Sequence, residues 1–161
     1  MTDITNPAIS TTTPATDIIT PTSDTKPAVL FVCVKNGGKS QMAAALMTRR
    51  AGDTFSVESA GTKPGTAVNE LSAESLAEVG VDISHNTPRR ITEEMVRAAD
   101  IVVTLGREAH VDEVPDTRFE NWDTDEPSER GIDGIERMRL VRDDIAGRVD
   151  DLYDRLTLGL T

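Results

Sequence analysis

A cysteine, a serine and two lysines fall within one short run, Cys33-Val34-Lys35-Asn36-Gly37-Gly38-Lys39-Ser40. Glycines in such a run let successive backbone N–H groups turn inward and form a concave anion nest. Where a helix follows, its unpaired first-turn amides and the positive end of its dipole add to that field. Lys39 enters at the junction with a full charge. The same field favours the thiolate form of Cys33, and Ser40 is placed to donate a hydrogen bond to it. Asn36 can brace the loop through its amide or take a left-handed backbone conformation. The chemistry expected is nucleophilic attack by Cys33 on a tetrahedral oxyanion cradled by Val34, Lys35, Asn36, Gly37, Gly38, Lys39 and Ser40.

Such a loop needs a strand to deliver it and a helix to receive it. Residues 28–33, AVLFVC, are a short apolar run rich in β-formers, bounded by Pro27, and suit a buried parallel strand. Beyond the loop, Met42, Ala45, Leu46 and Arg49 recur at helical spacing, which predicts a helix over 40–50 that Gly52 ends. Residues 54–58 alternate like a strand, and 59–65 (SAGTKPG) read as a loop. Val68, Leu71, Leu76 and Val79 predict a second helix stopped by Gly80, 92–99 a short third one, 101–105 an apolar strand and 118–122 a weaker strand. Met138, Val141, Ile145, Val149, Leu152 and Leu156 form one apolar stripe on a long last helix. Strands alternating with helices imply βαβ units: an α/β, three-layer domain with a parallel sheet flanked by helices. Ligands of such sheets bind beyond the carboxyl ends of the strands, where Cys33 lies.

The whole chain has 161 residues, enough for one core. Residues 1–27, rich in Thr, Pro, Ser and Asp, read as a disordered N-terminal tail, and 28–161 as the catalytic domain. A net charge of −11 argues against nucleic-acid binding. No run approaches the roughly 20 apolar residues of a membrane span, and the N-terminus has no signal-peptide pattern, so no membrane partner and a cytoplasmic location are expected. With one Cys and two His, no metal site is expected. The single cysteine also excludes an internal disulfide.

Residues 35–40, KNGGKS, match the end of a nucleotide-binding G-x-x-x-x-G-K-[ST] loop, but Cys33 replaces its first glycine and no strand ends in a magnesium-binding Asp. A wider match lies elsewhere. The run from Cys33 to Ser40 resembles the C-x₅-R-[ST] signature of the low-molecular-weight protein tyrosine phosphatase family, with Asn36 at the family's Asn. Ser59-Ala60-Gly61-Thr62 resembles its SAGT segment, and Gly80-Val81-Asp82-Ile83-Ser84 with Arg90-Ile91 its G-[IV]-D-x-S…R-x-[IL] stretch. The resemblance spans about residues 28–157 and implies a four-stranded parallel sheet.

Three departures narrow it. Lys39 stands for the signature Arg and offers a point charge instead of a bidentate fork. The family's Asp-Pro general acid corresponds to Asp123-Thr124-Asp125-Glu126-Pro127, so the resemblance implies Asp125 or Glu126 as proton donor. Ser128 stands where an aromatic would stack on a phosphotyrosine ring. These point to the arsenate reductases of this fold. The thioredoxin-coupled members carry a further cysteine after a stretch like Val102-Val103-Thr104-Leu105, where this chain has Gly106. The N-G-G-K-S loop with one cysteine, and Met138-Arg139-x-Val141-Arg142-Asp143, resemble the actinobacterial arsenate–mycothiol transferases.

That resemblance implies arsenate as substrate, mycothiol as thiol co-substrate, no bound cofactor, and a mycoredoxin or glutaredoxin-like protein acting downstream. Lys63, Arg89, Arg90 and Arg107 are candidates to receive the thiol or ordinary surface cations. His85 and His110 have no evident partner. Trp122 either lines the site rim or packs in the core. Two other readings stay open: a phosphomonoester hydrolase, and a degenerate member that binds an oxyanion without turnover.

Overall fold

The structure, a computed structural model, describes residues 26–159; the tail expected over 1–27 lies, up to residue 25, outside the described residues. The elements are β1 (Ala28–Cys33), α1 (Lys39–Ala51), β2 (Ser56–Gly61), α2 (Glu70–Ala77), α3 (Glu93–Ala98), β3 (Ile101–Leu105), β4 (Arg118–Trp122) and α4 (Gly134–Thr157). Short 3₁₀ turns precede β2 and α4.

The four strands form one parallel sheet in the order β2-β1-β3-β4. The alternation of β1 explains its burial. Val29 and Phe31 face a core completed by α1, α2 and α4, while Leu30 and Val32 face a smaller cluster with Val96 and Ala99 around α3. The expected stripe on α4 is buried from Met138 through Leu152. Trp122 belongs to this core at 3% exposure, with its ring 5.6 Å from that of Phe31.

The chain leaves β1 for β2 on one side and returns to β3 on the other. The carboxyl end of β1 therefore sits at a switch point of the sheet.

The strand expected over 54–58 begins later and runs further, to Gly61. Thr54 is drawn into a turn, its hydroxyl donating to the Ala51 carbonyl at 2.6 Å, so pairing starts at Ser56. The first three residues of the expected loop, Ser59–Gly61, are the inner end of β2, in register with Phe31–Cys33. A glycine in a strand carries little sequence signal, because it marks close backbone approach and not strand propensity.

Candidate active site

Cys33 ends β1 at 9% exposure, reaching solvent only at the loop. The Asn36 N–H points back at its sulfur, 3.2 Å away, and Ser40 Oγ lies 2.9 Å from the same Sγ. Asn36 Nδ2 donates to Ser40 Oγ at 2.8 Å, which occupies an acceptor site of that hydroxyl and leaves its O–H for the sulfur. The Asn36 N–H and the Ser40 hydroxyl thus converge on the Cys33 sulfur.

Asn36 is the keystone of the loop. It is fully buried, adopts φ 52°, and uses both ends of its amide. Nδ2 donates to Ser40 and also to Ser59 Oγ at 3.0 Å; Oδ1 accepts from the Arg89 N–H at 2.9 Å and from Gln41 Nε2 at 3.3 Å. Both expectations for this residue, amide brace and left-handed backbone, are met together. Gln41 and the Arg89 backbone were not singled out by sequence reasoning, and Ser59 entered only as part of the SAGT segment. Only the tertiary fold brings them to one point, and Asn86 extends the brace by donating to Gln41 Oε1.

The loop is clamped from the other side by residues 61–69. Thr62, Lys63 and Gly65 donate backbone N–H bonds to the carbonyls of Cys33, Val34 and Lys35, and Asn69 donates to Gly37. These bonds turn the carbonyls away from the concave face. A Cβ at Gly61 would lie 2.7 Å from the Val34 carbonyl oxygen and 2.9 Å from Asn36 Cβ, so only glycine fits. The helix that receives the loop differs from its neighbours. Asn69 caps α2 and Thr92 caps α3 through their side chains, whereas α1 begins at Gly38 with no side-chain cap and no acid in its first turn. Its first amides are left for an anion.

The acid loop lies against the same mouth. Lys39 Nζ is 3.7 Å from Glu126 Oε1. Arg137 of α4 grips Glu126 side-on, Nε at 2.7 Å and Nη2 at 3.0 Å, and Ser128 Oγ donates at 2.7 Å. Arg130 takes Asp125 with both amino groups at 2.8 and 3.1 Å, and Arg107 takes Asp123 at 3.1 and 2.9 Å. The Arg137 hydrogen bonds lower the Glu126 carboxyl from 4.5 to about 2; the Arg130 hydrogen bonds likewise lower Asp125. In this arrangement both candidate donors are ionised carboxylates.

Helix α4 also anchors this loop. Asp144 accepts the Asp125 N–H at 2.8 Å, and Arg148 donates to the Asp123 carbonyl at 3.0 Å. Residues 137, 144 and 148 recur on one helical face beside the apolar stripe, a signal that reading α4 for its core residues alone passes over.

The cationic thiol-receiving candidates are engaged in the fold. Arg107 holds Asp123, Arg89 pairs with Glu58 at 3.2 Å, and Arg90 donates to the Thr62 carbonyl. Lys63 contributes its backbone to the clamp. His85 and His110 are exposed beside Asp82 and Asp112. The Met138–Asp143 stretch is structural: Arg139 and Arg142 both bind Glu78, tying α4 to α2. A cavity of about 300 Å³ flanks the loop, with Lys35, Gly38, Lys39, Asn69, Arg137 and Met138 in its walls. Among the described residues no group of three or more His, Cys, Asp or Glu side chains is placed to hold a metal, and no helix is long and apolar enough to cross a membrane.

This geometry agrees with the comparisons. The low molecular weight phosphotyrosine protein phosphatase profile matches residues 28–158. Arsenate reductase 1 of Staphylococcus epidermidis is 35% identical over 134 residues, covering 81% of this chain and 98% of that protein. A solved thioredoxin-dependent arsenate reductase of Corynebacterium glutamicum superposes with a TM-score of 0.72 at 34% identity; the match covers 85% of this chain and 65% of that one. An arsenate reductase of Archaeoglobus fulgidus superposes with a TM-score of 0.63 at 29% identity, covering 78% and 98%. The chain belongs to the low molecular weight phosphotyrosine protein phosphatase family, in its arsenate reductase branch.

Proposed function

We propose that the chain is an arsenate–mycothiol transferase, joining arsenate to mycothiol for later reduction to arsenite. The observation that carries this reading is a cysteine at the end of β1 whose sulfur meets the Asn36 N–H and Ser40 Oγ at the mouth of a glycine loop, in a chain with no second cysteine. The arsenate reductase relatives support arsenate as the oxyanion.

Arsenate docks on the loop amides from Val34 to Ser40 and on Lys39, where preorganised donors stabilise charge as it builds. The Cys33 thiolate attacks arsenic, and an arsenic–oxygen bond breaks. Dihydrogen arsenate carries two protons of its own, enough for that oxygen to leave as water and the adduct to remain a dianion. Asp125 and Glu126 of the acid loop are held as carboxylates by Arg130 and Arg137, and this proton count asks neither of them to donate. Mycothiol thiolate then attacks arsenic and expels Cys33 as thiolate. A mycoredoxin or glutaredoxin-like thiol acts on the released arseno-mycothiol.

The test is mass spectrometry of the product formed from arsenate with mycothiol, with other low-molecular-weight thiols and with thioredoxin. The expected product is arseno-mycothiol, abolished by Cys33→Ser. Turnover with thioredoxin alone would replace the thiol assignment. The family's phosphatase chemistry is the second reading, favoured by the shared loop. Rapid thiol-independent hydrolysis of an aryl phosphate would establish it instead.

A further inference from the structure

The acid loop carries three carboxylates near an anion site, and each has its own arginine: Asp123 with Arg107, Asp125 with Arg130, Glu126 with Arg137. Of the two lysines in the oxyanion loop, Lys39 is the one that reaches the acid loop. Its contact with Glu126, at 3.7 Å, is longer than a hydrogen bond, whereas Arg137 and Ser128 hold the same carboxylate at 2.7 Å. Glu126 and Arg137 are also the most enclosed of the three pairs, at 28% and 30% side-chain exposure, so screening weakens their interaction least. Arg137 shares the wall of the flanking cavity with Gly38 and Lys39, which places it next to the loop.

An unneutralised Glu126 would act twice against an oxyanion. It would repel the incoming charge, and it would compete with it for Lys39. We propose that Arg137 is a positioning residue for the oxyanion loop: it neutralises Glu126 and so leaves Lys39 free to turn onto the bound anion. Glu126 then serves as a ligand-free resting partner for Lys39, and not as the proton donor. This inference rests on the oxyanion-site reading above and is independent of which thiol follows.

The test measures equilibrium affinity for inorganic phosphate and for arsenate by calorimetry, without thiol, in the full chain and in Arg137→Met, Arg137→Lys, Glu126→Gln and the double variant Arg137→Met/Glu126→Gln. Arg137→Met is expected to weaken phosphate binding about tenfold, because Glu126 recaptures Lys39. Arg137→Lys should keep most of the affinity. The double variant should recover to within about threefold of the parent, a rescue that a merely structural arginine would not give. Thermal melts confirm that each variant is folded. Unchanged affinity in Arg137→Met would overturn the proposal, as would a double variant as weak as the single one. So would a kcat in Glu126→Gln lowered by about a hundredfold or more with affinity unchanged, the mark of a general acid. If no thiol yields product while the phosphate pattern holds, the transferase reading falls and this inference stands.

Discussion

Asn36 and Gly61 meet where β1 hands over to the loop, and a side chain on Gly61 could not be added without moving Asn36: a Cβ there would sit 2.9 Å from Asn36 Cβ and 3.0 Å from its backbone nitrogen. That nitrogen is the donor to Cys33 Sγ. The nucleophile is thus positioned by a residue on a different strand through contact with a third.

Gly61→Ala should therefore damage the site more than its size suggests. Relief of a contact of this kind costs about 1–3 kcal/mol in a packed region. The expected outcome is a protein with a lower denaturation midpoint and at least tenfold weaker phosphate binding, read by chemical denaturation and calorimetry. Parent-like affinity would show that the loop relaxes around the methyl group.

Asn36 separates backbone from side-chain effects. Asn36→Gly keeps the left-handed conformation but loses the amide bonds, and Asn36→Ala loses both. Both variants should show almost no activity. Asn36→Ala should be the less stable by about 1–2 kcal/mol, the cost of the left-handed region for a residue with a Cβ. Equal stabilities would mean that the backbone readjusts.

Ser40→Ala removes a donor to the sulfur and one of the two acceptors of Asn36 Nδ2. Alkylation of Cys33 by iodoacetamide at neutral pH is expected to slow by about tenfold, in line with a hydrogen bond to a charged group of roughly 1.5–3 kcal/mol. Ser40→Thr should retain part of the rate.

Thr124 Oγ is buried with no partner among the described residues. Thr124→Val should stabilise the fold by about 1 kcal/mol, visible as a rise of a few degrees in Tm, because a buried unsatisfied hydroxyl is replaced by a methyl group. A fall in Tm would reveal a partner for that hydroxyl.

Acid should loosen the attachment of α4. Hydrogen bonding to Arg139, opposed by burial and reinforced by Arg142, lowers the Glu78 carboxyl from 4.5 to about 2; Arg137 does the same for Glu126. Both groups bind a proton more weakly when folded. Their stabilisation is complete above about pH 4.5 and is lost as the pH falls toward 2. Denaturation midpoints should decline across that window, and Glu78→Gln should flatten the decline.

The order of the elements was legible in the sequence. The apolar run 28–33, the glycine-bearing loop and the α4 stripe carry their own periodicity, and periodicity depends only on local geometry. The convergence of Asn36 and Ser40 on Cys33 was equally legible, since the three lie within eight residues of chain. The extent of β2 was not: Gly61 pairs in a strand because the loop packs against it, a long-range cause that leaves no local mark. The acid loop shows the same limit more sharply. Its carboxylates could be found from the Pro127 neighbourhood, but their protonation depends on Arg130 in the turn that follows, on Arg137 from α4 and on Arg107 from beyond β3. Charge interactions act through space, so the ionisation of Asp125 and Glu126 is decided only when the chain has folded.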